Sequence, residues 1–145
     1  MYKHILIPLD GSLGAEKAIE AGIELAHRVS AKVTLFTAVP ECRSPGPAPV
    51  REAAARWDHE RISRDNAQAI LWPAAERLRA AGVECATAYA ECNRPHEAII
   101  DAARAHCCDL ILMSSHDRSC LSELWYGSET HAVLKHSSIP TLVYR

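Results

Sequence analysis

The sequence predicts an α/β protein in which one parallel β-sheet carries helices on both faces. Short apolar runs alternate with longer segments whose apolar residues recur every three or four positions. The run at 109–114 is uncharged after its first residue, which is typical of a central strand that is covered on both sides. Strands that alternate with helices pair in parallel through right-handed crossovers, so the helices lie on both faces of the sheet.

Length and composition define the class of protein. The chain has 145 residues, 48% hydrophobic and 23% charged, which predicts one globular domain over 1–145. Its formal net charge of −2 lacks the basic excess of a nucleic-acid binder, and no apolar run is long enough to cross a membrane. The opening MYKHILIPLD is too polar for a signal peptide. We therefore expect a cytoplasmic location, where its six cysteines would be free thiols.

The first half of the chain predicts two strands and one helix before a loop. The first strand covers 2–9 and ends at Asp10-Gly11-Ser12, and the second covers 32–39. The helix between them has its apolar stripe at Ile19, Ile23, Ala26 and Val29. Four prolines and one glycine between Pro40 and Pro49 predict a mobile loop over about 40–50.

The next segment, 51–81, is rich in helix-forming Ala, Arg and Glu. Its apolar stripe stays in phase across Pro73, so we expect either a kinked helix or two helices that meet near Trp72. Gly82 is a suitable C-terminal stop, and a third strand follows at 83–90.

The last third predicts two more helices and two more strands. Pro95 suits the first turn of a helix that runs to about His106, and a strand follows at 109–114. A helix at 128–137 has Ser128 as its expected N-cap, and the final strand covers 140–144. Ligands of such sheets bind at the carboxyl ends of the strands, beside a topological switch point. Four loops lie at that edge: 10–14, 39–42, 91–95 and 114–127.

Segments at both ends of the chain resemble the universal stress protein (UspA-like) family. The opening YKHILIPLDGS is similar to the family's first strand and its terminal Asp. Later, the family pattern is a strand that ends in Met, then G-x-x-G-x9-G-[S/T], a helix, a proline and a final strand. Here this frame reads Met113, Ser114-Ser115-His116-Asp117, nine residues, Gly127-Ser128 and Pro140. The resemblance implies a Rossmann-like, doubly wound sheet of five strands in the order 3-2-1-4-5, and a homodimer.

The resemblance also implies a nucleotide cleft, because the motif glycines hold ATP in nucleotide-binding members. Glycines let backbone N–H groups approach phosphate, and a helix N-terminus favours negative charge. Carried over, the motif puts Gly127 and Ser128 at the phosphates and Asp10 near the ribose or a metal. It puts Ala38 or Val39 against the adenine. Three positions depart from the family pattern: the first two motif glycines are Ser114 and Asp117, with His116 between them, and the glycine after the third strand corresponds to Asn93.

Asp117 is the departure with the largest expected effect. A carboxylate about 5 Å from a phosphate charge is repelled by about 3 kcal/mol at an effective dielectric near 20. That energy corresponds to a loss of affinity on the order of a hundredfold. Mg²⁺ between the two groups would reverse the sign, and Arg94 or Arg118 would offset the repulsion. The sequence therefore predicts a degenerate adenine-nucleotide cleft, with ATP or a related nucleotide, and Mg²⁺ with it, as the candidate ligands.

No residue is predicted to be catalytic, and at most slow ATP hydrolysis is expected. The chain contains neither G-x-x-x-x-G-K-[S/T] nor G-x-S-x-G. Asp10 lacks the companion acid pair of a phosphoacceptor site, and its alternative role is to cap an Asp-Gly-Ser turn. Ser115 and His116 are adjacent in one loop, and such residues seldom face each other as nucleophile and base must.

The cysteines suggest a different function. Cys42, Cys92 and Cys120 fall in carboxyl-edge loops near His116, a ligand set that zinc would accept. The other three, Cys85, Cys107 and Cys108, fall near the opposite edge of the sheet. Metal- or redox-responsive regulation is therefore one alternative function. A stress or interaction protein that binds no nucleotide is another.

The expected assembly is a homodimer formed through the C-terminal strand, because an apolar strand at a sheet edge invites pairing. Neither nucleic acid nor a membrane is an expected partner. The three tryptophans, Trp57, Trp72 and Trp125, are interpreted as core or interface anchors.

Overall fold

The computed structural model describes residues 1–12, 14–41, 49–114 and 123–144, with backbone alone at 49–55 and 123–128. Five strands alternate with four helices in this part of the chain. The elements are β1 (His4–Pro8), α1 (Gly14–Val29), β2 (Lys32–Val39), α2 (Pro49–Ala80), β3 (Cys85–Glu91), α3 (Pro95–Ala105), β4 (Leu110–Ser114), α4 (Glu123–His136) and β5 (Thr141–Tyr144). None of the described helices is long and apolar enough to cross a membrane.

The strands form one sheet in the order β3-β2-β1-β4-β5, and every neighbouring pair is parallel. This confirms the predicted fold class and strand order. The predicted loop over about 40–50 lies mostly outside the described residues, and α2 has already begun at Pro49.

The core consists of two apolar layers, one on each face of the sheet. The first layer joins the sheet to α1 and α2, and includes Ile5, Ile7 and Leu35. The second joins it to α3 and α4, and includes Leu6, Phe36 and Ile111. All five residues of β1 and all five of β4 are buried, because these strands lie in the middle of the sheet with helices on both sides.

The starts of β1 and β4 are tied together by one carboxylate. Asp109 accepts hydrogen bonds from the backbone N–H groups of Lys3 and His4, at 2.8 and 3.0 Å. The His4 ring is buried, and its Nε2 lies 2.7 Å from the Thr34 hydroxyl on β2. Polar groups at the amino edge of the sheet therefore satisfy one another across three strands.

Helix α2 is one continuous element that passes through Pro73, so the alternative of two helices near Trp72 is wrong. Between Arg56 and Ala80, where its side chains are described, the buried residues run from Ser63 to Leu78 along one side, which packs on β2 and β3. This packing holds the helix in register although Pro73 cannot donate a backbone hydrogen bond. Trp57 and Trp72 are exposed on this helix, so the interpretation of these two as core residues is wrong.

Helix α4 begins at Glu123, five positions earlier than predicted. Ser128 is therefore inside the helix, and its predicted role as the N-cap is wrong. Glu and Leu at 123–124 are good helix formers, and an acid in the first turn favours the helix dipole, so the helix extends toward the N-terminus beyond Ser128.

Helices α2 and α3 end in the same pair of hydrogen bonds, and α1 shares the longer-range of the two bonds, from the Ala31 N–H to Ala26 O at 3.0 Å. After α2, Gly82 has φ of 76°, its N–H bonds Arg79 O at 2.9 Å, and Val83 N–H bonds Leu78 O at 2.9 Å. These two bonds define a Schellman cap. After α3, Cys107 takes the place of the glycine with φ of 53°, and after α1, Ser30 does so with φ of 53°.

Candidate functional site

The carboxyl ends of β1 and β4 border the topological switch point of the sheet. The chain leaves β1 toward β2 on one side and leaves β4 toward β5 on the other. In α/β sheets this divergence of the two connections forms a crevice between the strand ends. Ile7 pairs with Leu35 and Pro8 with Phe36, and continuing that register puts Asp10 beside Ala38. Leu6 pairs with Ile111, and continuing that register puts Leu9 beside Ser114. The structure thus brings Asp10, Ala38 and Ser114 to one edge of three adjacent strands.

Asp10 closes the turn that leads into α1. Its Oδ1 accepts the Ser12 N–H at 2.9 Å, and the Ala15 N–H donates to Ser12 O at 3.1 Å. This is an Asx turn, which confirms the capping role predicted as the alternative for Asp10. The turn also fixes the carboxylate at the mouth of the crevice, so capping and ligand contact are compatible.

The other described residues of the predicted site differ in exposure. Val39 is buried in the layer of α1 and α2, while Ala38 is partly buried and packs on the layer of α3 and α4. Ser114 is only 7% exposed. Consecutive residues of a strand point to opposite faces, so one of Ala38 and Val39, not both, would contact a planar base on a given face.

A cross-loop hydrogen bond extends this edge to β3. Asn93 Nδ2 donates to Glu41 Oε2 at 2.7 Å, and the Cys92 N–H donates to Val39 O at 2.8 Å. Asn93, which is predicted to replace a family glycine, joins the loops that follow β2 and β3. No local pattern signals this contact, because its two residues are 52 positions apart.

The phosphate side of the motif is described only in part. His116 and Asp117 lie outside the described residues. Gly127 and Ser128 lie within α4, four and five positions after its first residue, and only their backbone is described. Their roles at a phosphate therefore stay predictions.

The predicted cysteine set is also described in part. Cys92 lies at the carboxyl edge, as predicted, and burial raises the pKa of its thiol. Cys42, Cys120 and His116 lie outside the described residues. Among the residues with defined positions, no three His, Cys, Asp or Glu side chains are placed to hold a metal ion. At the opposite edge, burial and the nearby Asp109 raise the pKa of Cys108 to about 11, so its thiolate is scarce at neutral pH.

The carboxylate of Glu129, on α4, caps α3. Glu129 Oε2 accepts the His96 backbone N–H at 2.6 Å and lies 3.0 Å from Nδ1 of the same residue. The His96 ring also lies 6.0 Å from the ring of His136, centroid to centroid. The sequence predicts a helix that starts near Pro95, but the contact of His96 with Glu129 is not predictable because the two residues are 33 positions apart.

Comparison with known proteins identifies the family. The model of the universal stress protein family matches residues 1–145. The chain is similar to universal stress protein YxiE of Bacillus subtilis, with 28% identity over 150 residues and all of both chains covered.

Solved structures with the same fold agree with this result. The structure of MJ0577, a universal stress protein of Methanocaldococcus jannaschii, has a TM-score of 0.74 and 27% identity, covering 99% of this chain and 95% of that one. A universal stress protein solved in complex with cAMP has a TM-score of 0.71 and 22% identity, covering 99% and 97%. With the sheet order, the crevice and the match over its whole length, the chain belongs to the universal stress protein family.

Proposed function

We propose that this protein is a cytoplasmic stress-response module that binds an adenine nucleotide weakly and without fast turnover. The observation that carries the proposal is the convergence of Asp10, Ala38 and Ser114 at the switch point, where α/β sheets bind ligands. Two structures of the same fold add support, one in complex with cAMP and one from Archaeoglobus fulgidus in complex with dAMP, the latter with 17% identity and a TM-score of 0.65.

The proposed weakness concerns the phosphate end of the nucleotide. Asp117 replaces a motif glycine and adds negative charge, and Ser114 replaces another and is buried. The Asp10 carboxylate adds a second negative charge at the mouth of the crevice. A nucleotide with fewer phosphate charges meets less repulsion, so a monophosphate should bind at least as well as ATP when Mg²⁺ is absent.

Magnesium gives the first test, because it converts the same acids from repulsive groups into ligands. We expect ATP without Mg²⁺ to bind with a dissociation constant weaker than about 100 μM, and Mg²⁺ to tighten it. Isothermal titration of the full chain with ATP and with AMP, each with and without Mg²⁺, measures both effects. Tight binding of ATP without the cation would contradict the degenerate cleft.

Restoring the glycines gives the second test. The double variant Ser114→Gly/Asp117→Gly should bind ATP more tightly by a factor on the order of a hundred. The matched control is Glu24→Gln on the exposed face of α1, which also removes one acid and should leave affinity unchanged. No gain in the double variant would show that the obstruction lies elsewhere, at Asn93 for example.

Two alternatives have distinct outcomes. If no adenine nucleotide binds to the native chain or to the double variant, the protein is an interaction module without a nucleotide. Stoichiometric zinc in untagged protein would instead support the carboxyl-edge cysteine site.

We also propose a homodimer formed through β5, whose Leu142 and Tyr144 are exposed.

A further inference from the structure

Strand β3 forms one edge of the sheet, with β2 as its hydrogen-bonded neighbour. Its even-numbered positions direct their backbone groups toward β2, since Glu84 O accepts the Val33 N–H at 2.9 Å and Cys92 N–H donates to Val39 O at 2.8 Å. Along a strand, the backbone N–H and C=O groups of successive residues point alternately to one side and the other. The N–H and C=O groups of Thr87, Tyr89 and Glu91 therefore point outward, away from the sheet.

The side chains of β3 do not protect this edge. Its sequence, CATAYAE, has no proline and no charge before the final Glu91. Natural edge strands are commonly protected by lysine, proline, a bulge or a covering element. Tyr89 is 39% exposed, so an apolar ring also lies at the open edge.

A groove of about 640 Å³ runs beside β3 on the face that carries α3. Its walls are alanines: Ala88 and Ala90 from the strand, and Ala98 and Ala102 from the helix. These short side chains leave space that larger residues would fill. Helix α2 packs on β3 and α3 packs on β2, so this groove is the part of the sheet surface where a partner's side chains fit.

The rim of the groove is acidic. Glu41, Glu91, Glu97 and Asp101 line it, against Arg94 as the one arginine or lysine among the described residues of its lining. Arg94 pairs with Glu97 at 2.6 Å, so the remaining carboxylates give the groove a negative excess. A second copy docked at this edge would bring its own copy of the acidic groove beside the first one, and like charges across an interface disfavour association. The charge therefore disfavours self-pairing and favours a basic partner.

We propose that the β3 edge docks an extended basic segment of a partner protein, which adds a sixth strand beside β3. The outward backbone groups of Thr87 and Tyr89 would bond the added strand. Side chains on one face of that strand would enter the alanine groove near Asp101, and lysines or arginines on its other face would meet Glu91. This is strand addition, in which the backbone contributes affinity and the alternating side chains give specificity. The site is separate from the nucleotide crevice between β1 and β4.

The first experiment uses a capped peptide of alternating valine and lysine, long enough to span β3, titrated into the full chain. A matched peptide of alternating valine and glutamate is the control. The lysine peptide should bind roughly tenfold more tightly or better, and this difference should shrink as salt is raised. Amide exchange at Thr87 and Tyr89 should slow in the complex. Equal affinity for both peptides, or no protection at β3, would overturn the proposal.

The second experiment removes one outward donor without touching the ladder to β2. Proline is tolerated in an edge strand where its missing N–H faces solvent, which is the case at Thr87. Thr87→Pro should lower the affinity for the lysine peptide by about tenfold or more, while Thr87→Val should leave that affinity unchanged. Circular dichroism and a urea transition for each variant show whether the fold is kept.

The third experiment tests the charge. Glu91→Gln/Asp101→Asn keeps the shape of the side chains, removes two acids, and should weaken the lysine peptide and flatten its salt dependence. Glu24→Gln, on α1, should change neither the affinity for the lysine peptide nor its salt dependence.

If Thr87→Pro binds the lysine peptide as the native protein does, the β3 edge is not the site. If it instead dissociates a native dimer, the occupant is a second copy, and the proposed partner is wrong.

Discussion

Single buried polar residues should control how this fold responds to acid. His4 is 8% exposed and hydrogen bonded to Thr34. Burial, with a smaller effect from Lys32, lowers the pKa of His4 below its ordinary value of 6.5. In the folded chain the ring therefore stays neutral at a pH where the unfolded chain would already bind a proton.

The sign of the effect follows from proton linkage. As pH falls below about 6.5, the unfolded state takes up a proton at His4 first, so the free energy of unfolding decreases by at most ~1.4 kcal/mol per pH unit. We expect urea unfolding at about pH 5 and about pH 7.5 to show a smaller difference in His4→Gln than in the native chain. His27→Gln is the control, since that ring is exposed and bonded to Ala81 O. An unchanged pH slope in His4→Gln would count against this account.

Two threonines on β2 should respond to the same change with opposite signs. The Thr37 hydroxyl is buried and has no hydrogen-bond partner among the described residues, whereas the Thr34 hydroxyl bonds His4. Thr37→Val removes an unsatisfied polar group and should raise the free energy of unfolding by about 1 kcal/mol. Thr34→Val leaves His4 without its hydrogen-bond partner and should lower the free energy of unfolding by a similar amount. Chemical unfolding of both variants measures the difference, and a loss of stability in Thr37→Val would show that its hydroxyl has a partner in solution.

At the scale of elements, helix ends offer a clear comparison. Gly82 adopts the left-handed conformation without steric cost, while Cys107 has φ of 53° and carries a side chain. A non-glycine residue in this conformation costs roughly 1 kcal/mol or more. Cys107→Gly should therefore stabilise the protein by about 1 kcal/mol, measured by urea or thermal unfolding. Cys107→Ala keeps the strain and removes the thiol, so a gain of equal size in that control would assign the effect to the sulfur instead.

The strands of this fold are predictable from the sequence, whereas two of its helices depart in part from the predicted pattern. The strands were predicted to within a few residues because each is a short apolar run between turn-forming residues. The rejected alternative of two helices at Pro73 and the wrong N-cap at Ser128 both came from local rules that neighbouring residues overrode. Burial of one side of α2 carries it through Pro73, and the helix formers at 123–124 extend α4 beyond Ser128.

For the whole molecule, the two edges of the sheet should have different partners. β5 exposes 46% of Leu142 and 44% of Tyr144, which fits pairing with a second copy. Leu142→Lys should convert the proposed homodimer to a monomer, as measured by sedimentation at micromolar concentration. Thr87→Lys, at the β3 edge, should leave the dimer intact. A native chain that sediments as a monomer would contradict the proposed dimer.

The site was predictable only as far as sheet order determines it. Strand order and register bring Asp10, Ala38 and Ser114 together, so the crevice follows from the order of elements in the chain. The contacts of Glu129 with His96 and of Asn93 with Glu41 join residues 33 and 52 positions apart. No local pattern encodes such pairs, because they depend on how the helices and loops pack against the sheet.

The carboxylate of Asp109 bonds the backbone of Lys3, 106 positions earlier in the chain. Asp109 anchors β1, which is the first strand to be synthesised but needs β4 to complete its pairing. A nascent chain that has made only β1, α1, β2 and α2 leaves one side of β1 open, and the wholly apolar Ile5, Leu6 and Ile7 lie on that strand. β4 begins only at Leu110 of 145 residues, so about three quarters of the chain is made before its centre closes. Ribosome-bound fragments that stop before β4 should therefore aggregate and be degraded more readily than released full-length protein.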